Sequence, residues 1–524
     1  MRKFSLNCQS SLIAFMLAIT VISFIDRPLA VGLFLLGFLS VCTWIVLSRA
    51  GLNSKYLFRL LLLAIFIYAS ASIFIHYTGF QPFGGGMSDG TIYNTQAQKF
   101  ALDLREGKVS LIQEILSFPD TSTITFFPII VGFIYFLTIP SMIVGLLFGA
   151  WLATISVICV FLIVKEIGGS EQQGFIAGFL TLLYPSYLFY GSFLLRETLI
   201  VPLAILGLLL IIKLINNFSW RNFVFLYLVL ILLVNIKFYI AYPLIFTFIF
   251  CWLALSKLGW KNKLWRWIIM FLLLGFIPQI GMPGYGNQPG APAIFGKGAG
   301  YYGISSMYYY LNANKINFYR TASYVGGLAD SQKKELGIAE YSDSKKQPEP
   351  QNPSEPAPAF EPQNPSELAS SPLPEKPAEH VPGVDSAYVS ATSLDNPVQF
   401  AISYFKSFIY ALLGPLPWQI RYARQFLALG ETFPWYVCLI FIIIGIFNTI
   451  KSKYRIILPI IFFSTLTLAV LALFTSNFGA LTRVRIPAFI PLLCLLPFGL
   501  TNLKNIKNVK IYEMLSYWRS RVYR

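Results

Sequence analysis

The feature that most limits what this chain can become is a succession of apolar runs, most of them about 20 residues long and split by short polar gaps. The runs fall at 11–25, 29–48, 60–77, 143–164, 174–192, 194–213, 222–236, 239–256, 264–283, 432–450, 456–474 and 484–503. A helix of that length crosses the hydrocarbon core of a bilayer with its backbone hydrogen bonds closed internally. The expected fold is therefore an all-α polytopic membrane protein of about twelve transmembrane helices. Composition agrees, with 56% hydrophobic and 12% charged residues, roughly half the charge of a soluble domain.

A net charge of +17 in a soluble protein would point to nucleic acid, but here most Lys and Arg stand in the gaps between runs. With the N-terminus inside, Arg49/Lys55/Arg59, Lys213/Arg221, Lys257/Lys261/Lys263/Arg266, Lys451/Lys453/Arg455 and the tail from Lys504 to Arg524 all fall on one side. That is the positive-inside pattern, so both termini are expected in the cytoplasm, with lipids and not nucleic acid as the surroundings. Met1-Arg2-Lys3 and the first run read as a signal anchor, because no A-x-A site follows and Asp26-Arg27-Pro28 leads into the next run. The six cysteines lie in or beside apolar segments without CxxC spacing, which indicates neither a disulfide framework nor a zinc site.

Two further apolar segments, 126–139 and 398–414, are short and broken by Pro128, Pro140 and Gly414-Pro415. Counting them as spans would turn Lys257 to Arg266 outward, so they are expected as interfacial or re-entrant helices on the outer face. The chain then divides into an N-terminal transmembrane module, 1–283, with an outer loop at 78–125; a large outer loop, 284–431; C-terminal transmembrane helices, 432–503; and a basic tail, 504–524. Within the large loop, 346–383 is rich in Pro, Glu and Ser and repeats EPQNPSE at Glu349–Glu355 and Glu361–Glu367, a composition expected to be disordered. Tyr301-Tyr302 and Tyr308-Tyr309-Tyr310 fit an aromatic belt at headgroup level, or a stacking surface for sugar rings.

The water-exposed chemistry must come from the outer face. In the first loop, Gly84-Gly85-Gly86-Met87-Ser88-Asp89 precedes a helical stretch containing Tyr93 and Ala97. A carboxylate on such a turn can serve as a general base at the bilayer surface, or simply cap the helix. Farther on, Arg196 and Glu197 interrupt apolar sequence after Pro185; an ionisable pair there is costly unless paired or solvated, and its plainer reading is an ion pair snorkelling to water. Lys237, Arg421, Arg424, Arg483 and Arg485 run against the positive-inside trend. Singly each can contact lipid headgroups; together they favour an anionic, phosphate-bearing ligand, which guanidinium groups grip well.

This order of features over roughly residues 60–283 resembles the GT-C superfamily of membrane glycosyltransferases, especially the bacterial relatives of protein mannosyltransferases and aminoarabinose transferases. Asp89, Tyr93 and Ala97 match the acidic motif of the first outer loop, although Gly90 stands where the family often has Glu; Phe126-Phe127-Pro128 resembles its short apolar segment, and Pro185 and Glu197 its proline and second acidic residue. The resemblance implies inverting transfer of a sugar from a polyprenyl phosphate to a hydroxyl of a glycan, lipid or protein acceptor on the outer side. Asp89 would be the base, Glu197 would orient the acceptor or an arginine, and Tyr93, Arg196, Lys237, Arg421, Arg424, Arg483 and Arg485 would hold substrate. Some relatives use a divalent metal at the acidic motif and others do not; a lone Asp89 with no adjacent carboxylate argues only weakly against one, so a divalent metal stays open here. Two other functions stay open: a lipid-linked oligosaccharide polymerase or ligase centred on the late arginines, and a lipid-glycan flippase or transporter.

Overall fold

The computed structural model describes residues 16–80, 89–108, 126–274, 277–279, 300–302, 397–416, 426–474 and 478–505. These residues are helical almost throughout. In chain order the helices are α1 (Met16–Ile25), α2 (Arg27–Arg49), α3 (Lys55–Thr78), α4 (Asp89–Arg105), α5 (Phe126–Leu137), α6 (Met142–Glu166), α7 (Glu171–Leu182), α8 (Pro185–Gly191), α9 (Glu197–Asn216), α10 (Trp220–Leu255) and α11 (Trp260–Leu274). They are followed by α12 (Pro397–Leu413), α13 (Phe426–Phe474), α14 (Phe478–Val484), α15 (Ile486–Leu493) and α16 (Leu496–Asn505). One small antiparallel pair, β1 (Ile277–Gln279) with β2 (Gly300–Tyr302), sets Ile277 opposite Tyr302 and Gln279 opposite Gly300.

Among the described residues, five helices are long and apolar enough to cross a membrane, or six if the bent pair α7–α8 counts as one span. Their boundaries follow local chemistry. Asp26 accepts from the amide of Leu29 at the start of α2, Ser54 does the same for Leu57 at α3, and Ser170 with Gln173 forms a reciprocal capping box at α7. Gly79 ends α3 in the left-handed region at φ 63°, which costs glycine nothing.

Two long helices turn back on themselves. In α10, Lys237 leaves the helical region (φ −158°, ψ 84°), and the rings of Phe223 and Phe248 lie 5.9 Å apart. A straight helix would put these two about 37 Å apart at 1.5 Å per residue, so α10 is a hairpin with Lys237 at its tip. α13 behaves alike at Lys453. Tyr404 Oη donates to Ala469 O at 3.1 Å, while Trp435 Nε1 donates to Leu412 O at 2.9 Å. One short helix, α12, thus touches points of α13 that a straight rod would hold about 50 Å apart. These two hairpins take the places of the runs expected at 222–236, 239–256, 432–450 and 456–474.

Three expected spans take a different form. The run 174–192 is broken into α7 and α8, bent by 67°, because Pro185 cannot continue a helix from the preceding turn. The run 484–503 becomes α15 and α16, each with a proline in its first turn, Pro487 and Pro497, where a missing amide is harmless. Of the run 264–283, residues up to Leu274 belong to α11, whereas Ile277–Gln279, with Pro278, form β1. The segments 126–139 and 398–414 form the short helices α5 and α12, while the repeat insert at 346–383 and Tyr308 to Tyr310 lie outside the described residues.

α6 and α9 form the centre, buried along nearly their whole length, with α3, α7 and the α10 hairpin around them. α2 instead exposes Phe34, Phe38, Val41, Ile45 and Val46, and α3 exposes Phe58, Leu62, Phe66 and Phe74. A band of this kind suits hydrocarbon and not water. The two ends of the bundle differ in chemistry. At one end Ser54 donates to Glu171 at 2.6 Å, Lys213 faces Glu166 at 3.7 Å and Lys453 lies against Gly168. At the other end Tyr77 bonds Asp26, and Asp89, Glu197, Lys237 and Arg483 meet.

Candidate functional site

α4 brings Asp89 to the site. The helix presents Tyr93, Ala97, Phe100 and Ala101 on one buried face, the i, i+4 spacing that aligns side chains. That face lies on α5, where a Cβ added at Gly132 would come within 2.8 Å of Ala97 O and 2.7 Å of Phe100; only glycine admits so close an approach. Arg105 secures the far end of α4 by donating to the carbonyls of Tyr135 and Thr138, each at 2.8 Å, and of Phe136 at 3.2 Å. These carbonyls lie at the end of α5, where a helix leaves C=O groups without helical partners; Tyr135 O also accepts from the Thr138 amide at 3.3 Å. With both ends so fixed, Asp89 at the first turn of α4 points to a defined place.

The place is a chain of alternating charges. Arg483 reaches Asp89 Oδ2 with Nη1 at 2.7 Å and Glu197 Oε2 with Nη2 at 2.8 Å. Lys237, at the hairpin tip of α10, donates to Glu197 Oε1 at 2.7 Å. Glu197, the first residue of α9, is 1% exposed, whereas the Asp89 side chain is 48% exposed. The two carboxylates therefore differ in what they can do: Asp89 is open to a substrate, and Glu197 serves only the cations around it.

Arg196 completes the group. Its guanidinium lies 5.6 Å from the centre of the Tyr93 ring, a cation–π distance, and its buried Nε has no hydrogen-bond partner among the described residues. Lys237 lies within electrostatic reach of both Arg196 and Arg483. Burial raises the pKa of the Tyr93 phenol, an effect that Arg196 opposes and Asp89 reinforces. Burial alone would weaken Arg483 as a cation, but Glu197 and Asp89 outweigh it and hold the guanidinium firmly protonated.

Three cations thus face two carboxylates. The surplus of one positive charge at a partly buried boundary is unfavourable by itself and is matched by an anion bearing oxygen acceptors. Arg483 pairs with an oxygen of each carboxylate, and no group of three His, Cys, Asp or Glu side chains occurs among the described residues.

Of the residues singled out in the sequence, Asp89, Tyr93, Arg196, Glu197, Lys237 and Arg483 come together. Arg485 does not join them: it is 1% exposed and donates from Nη2 to Glu431 Oε1 at 2.7 Å, which leaves no surface for a substrate. Arg421 and Arg424 lie outside the described residues. Glu431 escaped the sequence reading, although as a lone carboxylate opening the apolar run at 432 it was the natural partner for a buried outer arginine. Tyr190 and Thr482 also went unnoticed; their side chains hydrogen bond between the two charge clusters, with Glu431 and Glu197 both within electrostatic reach of Tyr190. Neither a comparison with protein-family models nor one with curated proteins returns a match.

Proposed function

We propose that the chain is a membrane glycosyltransferase of the GT-C kind, transferring a sugar from a polyprenyl phosphate to an acceptor hydroxyl at the outer face. In this reading the polypeptide crosses the bilayer twelve times, counting each limb of α10 and α13, with the basic end and both termini in the cytoplasm of a bacterial inner membrane. The carrying observation is the convergence of an exposed carboxylate, Asp89, with a surplus cationic group at Arg196, Lys237 and Arg483. Asp89 takes the proton of the acceptor hydroxyl as its oxygen attacks the anomeric carbon. The bond from that carbon to the phosphate oxygen breaks on the opposite side, inverting the centre, and its electron pair leaves with the lipid phosphate. The growing charge on that phosphate is received by Arg196 and Arg483. Glu197 is a positioning residue that holds Arg483 and Lys237 in place.

The test is transfer of labelled sugar from polyprenyl phosphate in membranes. Asp89→Asn is expected to slow transfer by about 10²- to 10⁴-fold, the range for losing a general base; undiminished transfer refutes the mechanism. Dependence on Arg483 with indifference to Asp89 would favour the polymerase or ligase reading. The interrupted helix at Lys237 is a feature that transporters also use, so movement of lipid-linked sugar across vesicles without a new glycosidic bond would favour a flippase.

A further inference from the structure

The second charge cluster lies outside the substrate site and joins four parts of the fold. Arg485 stands at the junction of α14 and α15: its amide donates to Leu481 O at 3.1 Å, and its carbonyl accepts from Ala488 and Phe489 at 2.9 and 3.1 Å. Its guanidinium binds Glu431 of α13 and the carbonyl of Gly414 after α12. Glu431 also accepts from Tyr184, at 2.5 Å, and from Ser186, at the start of α8. Around this core, Arg485 lies 4.9 Å from the centre of Phe489, and Phe489 stacks on Trp435 at 3.9 Å.

Stability alone does not account for such a cluster. Arg485 and Glu431 are 1% and 4% exposed, and a buried pair of this kind is usually no better for stability than apolar residues of similar volume. What it provides is a fixed position for the α14–α15 junction. Arg483 lies two residues before that junction, and Thr482 beside it bonds Tyr190 of α8. We propose that Glu431 and Arg485 are positioning residues: by clamping the α14–α15 junction to α8, α12 and α13, they aim Arg483 at Asp89 and Glu197. The inference rests on Arg483 being a site residue, as in the function proposed above.

The test reads the Asp89–Arg483 contact directly and needs no transfer activity. The full chain in nanodiscs is treated with a water-soluble carbodiimide and an amine nucleophile, and labelling of Asp89 is followed by peptide mass spectrometry alongside thermal unfolding. Arg483→Gln, which uncovers Asp89 Oδ2, sets the upper reference. The paired substitution Glu431→Leu with Arg485→Leu removes both buried charges. It is expected to fold with some loss of stability, because Tyr184, Ser186 and the Gly414 carbonyl lose buried partners, and to label Asp89 roughly 1.5- to fivefold faster, the range an exposed ion pair sustains.

A folded apolar pair that labels Asp89 at the wild-type rate overturns the proposal. Should that pair not fold, Glu431→Gln retains the shape and the hydroxyl partners and carries the same readout, faster labelling supporting the inference and a wild-type rate overturning it. Should the variants show these labelling differences while the wild-type protein transfers no sugar, the glycosyltransferase reading is refuted and the positioning role stands.

Discussion

Glu197 is the centre of the candidate site, and its substitution by Gln is the sharpest test of the geometry. The carboxylate meets Lys237 at 2.7 Å and Arg483 at 2.8 Å, with the side chains of Glu197 and Lys237 only 2% and 8% exposed. At an effective dielectric constant of about 20, unit charges that far apart attract by roughly 6 kcal/mol before desolvation is subtracted. Removing one partner of a buried pair while leaving the other costs about 3–5 kcal/mol, and that is the loss expected for Glu197→Gln in equilibrium unfolding from detergent micelles. Lys237→Met is expected to cost less, since Glu197 keeps Arg483. In the double variant Lys237 no longer needs a partner, so its loss falls short of the sum of the singles by at least about 2 kcal/mol, well beyond the scatter of about 0.5 kcal/mol seen for independent sites. Additive losses, or a Glu197→Gln variant within about 1 kcal/mol of wild type, would refute the buried three-way pairing.

Arg196→Gln removes the surplus cation, so the ligand-free protein should unfold no earlier than wild type, while the stabilisation conferred by dodecyl phosphate, about 2.7 kcal/mol at a hundredfold excess over Kd, should be lost; an unchanged phosphate effect would speak against an anion site. A Cβ at Gly445 would lie 2.1 Å from Leu495 O, and one at Gly499 equally close to Phe441 O. Helix contacts of this kind in membranes depend on small residues, so Gly445→Leu should lower the yield of folded protein severely, whereas Gly430→Leu, where no heavy atom lies within 4 Å, should be tolerated. Gly132→Val should push α4 off α5 and reduce transfer more than it reduces melting temperature, because it moves Asp89 without touching the bundle centre.

Much of the architecture was legible because apolar run length reports directly on a helix that must close its own hydrogen bonds. The turn at Lys237 and the turn at Lys453 both fall at the polar breaks between runs. The legibility failed at prolines inside apolar sequence. Hydropathy passes smoothly through Pro185 and Pro487, yet each residue lacks the amide that would continue the helix, and the expected spans there divide. For the site, charge in an apolar setting marked Asp89, Glu197, Lys237 and Arg483 individually. Their pairing was not legible, since Asp89 and Arg483 are 394 residues apart and no local pattern tells which carboxylate an arginine will meet. Arg483 and Arg485 make the point most clearly. They belong to one short motif, but they lie on either side of a helix junction, which sends one guanidinium to Glu197 and Asp89 and the other to Glu431.

The two clusters also differ in charge and access, and the difference assigns their roles. Around Glu431, one carboxylate meets one guanidinium, hydroxyls from Tyr184 and Ser186 take up its remaining acceptor capacity, and solvent is excluded. Such an arrangement is balanced in charge and closed to solvent, although the buried Arg485 Nε has no hydrogen-bond partner among the described residues. Around Glu197, two carboxylates meet three cations, and the outermost carboxylate is half exposed. An incomplete charge set at an open boundary gains from an anion arriving there, and in the proposed mechanism Asp89 would stand beside that anion as the base. The closed cluster lies within electrostatic reach of Tyr190, which also senses the open one, so under the proposed function the rigid pair would hold Arg483 steady without competing for an anion.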